Sequence, residues 1–164
     1  MVEASRHIVM RLAPEVFAEG RTVDVIKEHN SMAQEHGFVA VGKFGAAPKG
    51  AIAAIEKLLE QGHPADLYLV HKEGDEFRGF RAPLRWVGLK RPPERYRACH
   101  PAYYGESGRD PTAWFVVDAP FVLAELKDLK LASSGRDLVT VMSECRTATM
   151  LVEGSTKAEG RTSD

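Results

Sequence analysis

Apolar and polar residues follow two different periods in the first part of the chain. From His7 to Leu12 they alternate, which predicts a strand that ends before Pro14. Thr22 to His36 contains neither proline nor glycine, and its repeat of three and four residues predicts a helix. The predicted inner face of that helix carries Val23, Ile26, Asn30 and Ala33. Phe38 to Phe44 is rich in residues that favour strands, and we predict a strand there.

A second helix is predicted between Pro48 and Gly62. Proline suits the first turn of a helix, and glycine is a common stop signal at its end. The apolar face of this helix consists of Ile52, Ile55, Leu58 and Leu59. This spacing is typical of a helix that packs against a core.

Strand patterns dominate the rest of the chain. Asp66 to His71 and Glu76 to Gly88 are separated by turn-forming residues and predict a hairpin. Further strands are predicted at Ala113 to Val117, Leu129 to Leu131, Val139 to Met142 and Ala148 to Val152, and Pro120 to Leu126 is predicted as a short helical or turn segment. Helices early and strands late favour an α+β fold with a curved, mostly antiparallel sheet or a small open β-barrel, and with two or three flanking helices.

Composition narrows the class of protein. A chain of 164 residues with 44% hydrophobic content suits one domain, which we place at residues 1–153. Gly154 to Asp164 is small, polar or charged and is predicted to be a disordered tail or linker. Apolar runs such as Leu67 to Val70 fall far short of the roughly 20 residues that cross a bilayer, and the N-terminus has no signal-peptide core. These features predict a cytoplasmic protein without a membrane partner, in which Cys99 and Cys145 are free thiols.

Positive charge is concentrated between Phe77 and Gly105, although the net charge of the chain is only -1. The cations of this segment are Arg78, Arg81, Arg85, Lys90, Arg91, Arg95 and Arg97, and its only acid is Glu94. Among them stand Phe80, Trp86, Tyr96, Tyr103 and Tyr104. Cations hold phosphates and aromatic rings stack on bases, so this pattern is typical of proteins that bind single-stranded or flipped nucleotides. Lys90 to Arg97, with its two prolines, is predicted as an extended loop that contacts the ligand. The alternative interpretation is a solvated, arginine-rich loop above ordinary core aromatics.

No pattern in the sequence predicts a metal ion, a cofactor or a catalytic residue. His29 and His36 are seven residues apart, and the other histidines stand in separate segments without a credible set of ligands. Cys99 and His100 are adjacent, and neighbours in an extended chain point to opposite faces. The glycine-rich stretch from Gly42 to Gly50 lacks the lysine followed by serine or threonine of a phosphate-binding loop.

Four local strings occur in an order that resembles the YTH and EVE domains of the PUA-like superfamily, which read modified bases. The string FVAVGKFGAAPK is similar to the strand and substrate-facing loop near the start of those domains. ADLYLVHKEGDEFRGFRAPL resembles their hairpin, TAWFVVDAPF their tryptophan strand, and LKLASSGRD with ECRTATMLV their closing segment. The resemblance covers roughly His7 to Val152.

The resemblance implies an aromatic cage that holds the methyl group of N6-methyladenine, with basic residues around it. Lys43 and Phe44 would line the pocket, and Arg136 and Asp137 would lie at its basic rim. Where the family has its first cage tryptophan, this chain has Val41 and Gly42. The predicted base-binding pocket consists of Lys43, Phe44, Trp86, Tyr103, Tyr104, Trp114 and Asp137. The predicted backbone-binding residues are Arg81, Arg85, Arg91, Arg95 and Arg136.

Together these features predict a non-enzymatic domain that binds DNA or RNA carrying a modified base, with an effector domain beyond the tail as a further possible partner. ASCH domains of the same superfamily have a similar layout and some are enzymes, so a hydrolase of modified nucleosides is the alternative. Lys43 with Glu73 or Asp137 would be its acid and base. A third hypothesis is a protein-interaction domain that presents the basic loop to an acidic partner.

Overall fold

Eight strands and four helices make up the part of the chain that the computed structural model describes, residues 4–12, 25–97, 99–100, 111–145, 147 and 149–155. The strands are β1 (Ala4–Arg11), β2 (Val39–Lys43), β3 (Asp66–Glu73), β4 (Glu76–Gly88), β5 (Ala113–Val117), β6 (Val122–Ala124), β7 (Lys130–Leu131) and β8 (Thr149–Ser155). The helices are α1 (Val25–His36), α2 (Lys49–Glu60), α3 (Glu94–Arg97) and α4 (Leu138–Glu144). No helix among the described residues has the length and apolar character needed to span a membrane.

The strands form one open, mixed sheet in the order β2-β5-β4-β3-β1-β8-β7, with β6 paired to β4. β1 runs parallel to β3, and the other pairings are antiparallel. The predicted α+β class is therefore confirmed, with a sheet that is open and not closed into a barrel.

Strand β4 belongs to two halves of this sheet. Its residues Glu76 to Pro83 pair with β3, whereas Leu84 to Gly88 pair with β5 on the opposite edge. The register shifts between Leu84 and Trp86, so Arg85 occupies a β-bulge. A bulge bends the strand and re-aims a side chain, and here it lies where the two halves of the sheet meet.

The two faces of the sheet are covered differently. Leu67 and Leu69 point to the face on which α1 and α2 pack, which we call the α1/α2 face. The alternate residues Tyr68 and Val70 point to the other side, the α3/α4 face. There α4 covers β1, β3 and β8, while α3 covers β2 and β5, and the two helices belong to separate hydrophobic clusters. Arg81 of β4, which stands opposite Tyr68, lies on this face between those clusters.

Most predicted elements are confirmed with small shifts at their ends, and three are corrected. Val139 to Met142, predicted as a strand, belongs to α4, because the carboxylate of Asp137 accepts a hydrogen bond from the Thr140 amide and caps a helix. Pro120 to Leu126, predicted as a helical or turn segment, contains β6, which pairs with the middle of β4. Lys90 to Arg97 is not extended throughout, since it ends in α3.

The end of β8 lies further along the chain than predicted. Gly154 and Ser155, which were expected to begin the tail, pair with Ser5 and Ala4 of β1. A side chain at Gly154 would collide with Leu129, whose Cδ2 atom would lie 2.6 Å from the added Cβ. The remainder of the predicted tail lies outside the described residues.

Candidate nucleic-acid interface

A group of aromatic side chains gathers on the α3/α4 face, above β2, β5 and the end of β4. We call it the aromatic cluster, and it consists of Phe38, Phe44, Trp86, Tyr96 and Trp114, packed on Ala40 and Val116. Trp114 and Tyr96 are buried, with 4% and 6% of their surface exposed. Phe38, Phe44 and Trp86 are only partly buried. The cluster therefore has a closed interior and three rings at its surface.

Glycines allow the two tryptophans to lie close to the sheet. Trp114 stands opposite Gly42 of β2 on one side and Gly88 of β4 on the other. The Trp86 ring lies so close to Gly88 that an added Cβ there would be 2.5 Å from the ring atom Cη2. Trp86 thus rests against the strand backbone and is partly exposed.

Comparisons with protein-family models, with curated proteins and with solved structures found no match.

Helix α3 holds the cluster closed at the β2 side. Tyr96 meets Phe38 edge-on, with ring centroids 5.3 Å apart. The Cys99 thiol donates to the Phe38 carbonyl at 2.9 Å, and the Ala40 amide donates to the Cys99 carbonyl at 2.8 Å. His100 then lies against Trp114, with centroids 5.6 Å apart. Tyr96 and Cys99 consequently attach this segment to Phe38 and β2, and His100 attaches it to β5.

Two of the predicted backbone-binding arginines border the aromatic cluster. Arg85, at the bulge, forms an ion pair with Asp118 at 3.2 Å and also hydrogen-bonds Tyr96. The guanidinium of Arg95 lies over the Tyr96 ring, 4.7 Å from its centroid. Stacking on a ring keeps a guanidinium in place while leaving its edge available to an anion. Both cations are therefore held beside Tyr96, at the border of the aromatic cluster.

The other predicted backbone-binding residues differ in position. Arg81 stands opposite Tyr68 and so lies on the α3/α4 face, partly exposed, between the aromatic cluster and α4. Arg91 is exposed in the segment between β4 and α3. Arg136 lies next to β7 and pairs with Glu144 at 2.7 Å. Since β5, β4, β3, β1 and β8 stand between β2 and β7, Arg136 is at the far end of the strand order from the cluster.

The family resemblance places Lys43 and Phe44 in one pocket, but their side chains lie on different faces of the sheet. Phe44 packs in the aromatic cluster, whereas Lys43 is paired with Ala113 on the α1/α2 face. The Lys43 amino group donates to the carbonyls of Phe44 and Ala46, at 2.9 and 3.0 Å. Burial lowers the pKa of this amine, because the charged form loses hydration. Lys43 therefore fixes the loop that leads into α2.

Asp137, which was also predicted to line the pocket, does not join the aromatic cluster. Asp137 caps α4 beside Arg136, and its carboxylate binds both the amide and the hydroxyl of Thr140 at 3.1 Å. Tyr103 and Tyr104 lie outside the described residues. Phe38, Gly42 and Gly88 belong to the site although the sequence analysis did not assign them to it. The available signal was the position of Gly88, two residues after a tryptophan in one strand.

The side chains suggested as acid and base of a hydrolase each make an ion pair or a hydrogen bond within the fold. Glu73 forms an ion pair with Arg78 at 3.1 Å across the β3–β4 turn, Asp137 caps α4, and Lys43 binds loop carbonyls. Within the described ranges, no three histidine, cysteine, aspartate or glutamate side chains come together to hold a metal ion.

Proposed function

We propose that the aromatic cluster binds one nucleotide of a single-stranded or locally opened nucleic acid, and that it prefers a modified, methylated base. The observation that carries this proposal is the position of Trp86, partly exposed against Gly88, with Arg85 and Arg95 held beside the same cluster. An aromatic surface next to fixed cations is the combination that nucleotide binding requires. The PUA-like assignment, implied by the resemblance, agrees with this function.

Each residue of the cluster has a distinct role in the proposal. Trp86 and Phe44 are partly exposed and stack on the base, while Trp114, 4% exposed, supports them from within. Arg85 and Arg95 contact the adjoining phosphates. Stacking contributes about 1–3 kcal/mol per base, but a buried methyl group contributes only about 0.8 kcal/mol. The domain is therefore a reader with a modest preference for the modified base.

Fluorescence anisotropy with matched DNA and RNA oligonucleotides tests the proposal. Each oligonucleotide is used unmodified, with N6-methyladenine and with a methylated cytosine, at two salt concentrations. We expect salt-sensitive binding, with a preference of a few-fold for one modified form. The Trp86→Leu variant is expected to lose about tenfold in affinity, in line with the loss of one stacked base. If no oligonucleotide binds to the wild-type protein at low salt, the proposal is wrong.

A matched pair of charge variants separates a local site from general attraction to polyanions. Arg85→Gln with Arg95→Gln removes two cations at the cluster, and the slope of log affinity against log salt should fall by about 1–2. Arg78→Gln with Arg136→Gln removes the same charge away from the cluster, since Arg78 lies opposite His71 on the α1/α2 face and Arg136 lies beside β7. This control should leave both affinity and slope nearly unchanged. Equal losses in the two double variants would contradict a site at the aromatic cluster.

A further inference from the structure

A cavity lies at the opposite end of the sheet from the aromatic cluster, where β7 stops covering β8. Its volume is about 490 Å³, within the range of about 300–1,000 Å³ that is usual for small-molecule sites. β7 has only two residues, which pair with Val152 and Glu153. The Ala132 amide donates a hydrogen bond to the Leu151 carbonyl, on the edge of β8 that faces away from β1. Backbone groups two residues apart in a strand point to the same edge, so the N–H and C=O of Thr149 also point to this edge. The cavity opens beside this part of β8.

The walls of the cavity combine apolar side chains with hydroxyl groups and one cation. Leu131, Val141 and Leu151 provide apolar surface, and Ser133 and Thr149 provide hydroxyls. The cation is Arg6, whose Nε atom binds the Glu153 carboxylate at 3.0 Å and fixes the direction of the guanidinium. Among the described residues that line the space, none carries a carboxylate. This combination favours a ligand with an apolar body and an anionic group.

The Thr149 hydroxyl is an independent sign that a polar ligand atom belongs here. Its oxygen is buried and has no hydrogen-bond partner among the described residues. A buried hydroxyl without a partner is destabilising, and native proteins contain few of them. A ligand oxygen in the adjoining cavity would supply the missing partner.

We propose that this cavity binds a small apolar carboxylate, with its charged group against Arg6 and the Ser133 and Thr149 hydroxyls. Its body would cross the open edge of β8, from Leu151 on the α1/α2 face towards Val141 on the α3/α4 face. A carboxylate accepts several hydrogen bonds at once, which suits a guanidinium beside two hydroxyls. The site is separate from the aromatic cluster and does not depend on nucleic-acid binding.

The test is a titration of the isotope-labelled protein, followed by NMR, with phenylacetate, 4-phenylbutyrate and 6-phenylhexanoate and with the primary amide of each. We expect saturable shifts of the Ala132, Ser133 and Leu151 amides at millimolar concentrations or below. The best carboxylate should bind at least about fivefold more tightly than its amide, because its hydrogen bonds are charge-assisted. The absence of saturable shifts with all six compounds, or equal affinity for acid and amide, would overturn the proposal.

Three variants test the roles of the named residues. Arg6→Gln should abolish the difference between acid and amide, whereas Glu153→Gln, which leaves Arg6 in place without its partner, should keep or increase it. Thr149→Val keeps the shape of the side chain and removes the hydroxyl. It should raise the Tm of the free protein, because an unpaired buried group is lost, and weaken carboxylate binding a few-fold. Unchanged carboxylate binding in both Arg6→Gln and Thr149→Val would contradict the assignment.

Discussion

Asn30 of α1 satisfies both backbone groups of Phe121, which lies at the corner between β5 and β6. Its amide nitrogen donates to the Phe121 carbonyl at 3.0 Å, and its amide oxygen accepts from the Phe121 N–H at 2.7 Å. The Phe121 side chain is buried in the main core, with 4% of its surface exposed. This pair ties the inner face of a helix to a bend of the sheet.

Replacing Asn30 with alanine is therefore expected to destabilise the fold. It leaves a partly buried N–H and C=O without partners, at a cost of about 2–4 kcal/mol in the free energy of unfolding. Urea denaturation followed by circular dichroism measures this change. Ser31→Ala, at an exposed position of the same helix, is the control and should change stability by no more than about 0.5 kcal/mol. A loss for Asn30→Ala as small as that of the control would show that the pair is not stabilising.

His29, fully buried in α1, should make stability depend on pH. Burial lowers its pKa from 6.5 to about 4, although its hydrogen bond to the Val25 carbonyl opposes the change. Below pH 6.5 the unfolded chain binds a proton that the folded chain does not bind until about pH 4. Stability should therefore fall as the pH is lowered through this window, by about 3 kcal/mol from this residue.

The His29→Gln variant separates this contribution from that of the carboxylates, which titrate in the same range. Its free energy of unfolding should change less steeply than that of the wild type between pH 6.5 and 4. His63→Gln, at an exposed position, should retain the wild-type slope. Parallel slopes in the His29 variant and the wild type would refute the assignment to His29.

Gly88→Ala tests the contact between β4 and the Trp86 ring. The added Cβ would lie 2.5 Å from that ring, so the tryptophan must move, at a cost of about 1–3 kcal/mol in stability. We expect a changed tryptophan emission spectrum and, under the proposed function, weaker oligonucleotide binding. Gly50→Ala is the control, because nothing lies within 4 Å of its Cβ position in α2. That variant should retain binding and gain up to about 1 kcal/mol.

Asp137→Ala distinguishes a helix cap from a pocket residue. Loss of the hydrogen bonds to the Thr140 amide and hydroxyl should cost about 1 kcal/mol in stability. Affinity for oligonucleotides should remain unchanged, since Asp137 lies next to α4 and away from the aromatic cluster. A selective loss of binding without a loss of stability would instead support the role that the family resemblance implies.

The two cysteines should differ in reactivity. Burial raises the pKa of the Cys99 thiol. The neighbouring Thr147 hydroxyl, with Arg11 nearby, lowers the pKa of the Cys145 thiol. Cys145 should therefore react at least about tenfold faster with a disulfide reagent in the native protein, since the thiolate is the nucleophile. The single variants Cys99→Ser and Cys145→Ser, followed by absorbance, assign the two phases, and a faster reaction of Cys99 would contradict this expectation.

The sequence correctly predicted the helices and strands whose local pattern allowed only one interpretation. The apolar run around Trp114 was correctly predicted as a strand, and this strand is buried on both faces. The hairpin between β3 and β4 was correctly predicted from its turn residues. The run from Val139 to Met142 was assigned wrongly, because a short apolar run is compatible with either a strand or a buried helix. It forms a helix here because Asp137 caps the helix N-terminus.

The candidate nucleic-acid interface was also predicted only in part, but for a different reason. Trp86 was identified as an aromatic residue among cations and Trp114 through the family resemblance, and the structure places both in one cluster. Their relationship depends on the register that sets Gly88 opposite Trp114, and register between distant strands is not visible in a local pattern. Lys43 was assigned to a pocket because of the family resemblance, but its amino group is satisfied by neighbouring carbonyls.

The pairing of β1 with β8 brings the first and last described residues together, since Ala4 lies opposite Ser155 in adjacent antiparallel strands. A short flexible linker could therefore join these two positions, and new ends could be opened at the exposed turn between Glu73 and Glu76. Such a circularly permuted chain would keep every strand neighbour. It would also place the new ends on a hairpin away from the bulge at Arg85, so that fused reporter domains would leave the aromatic cluster accessible.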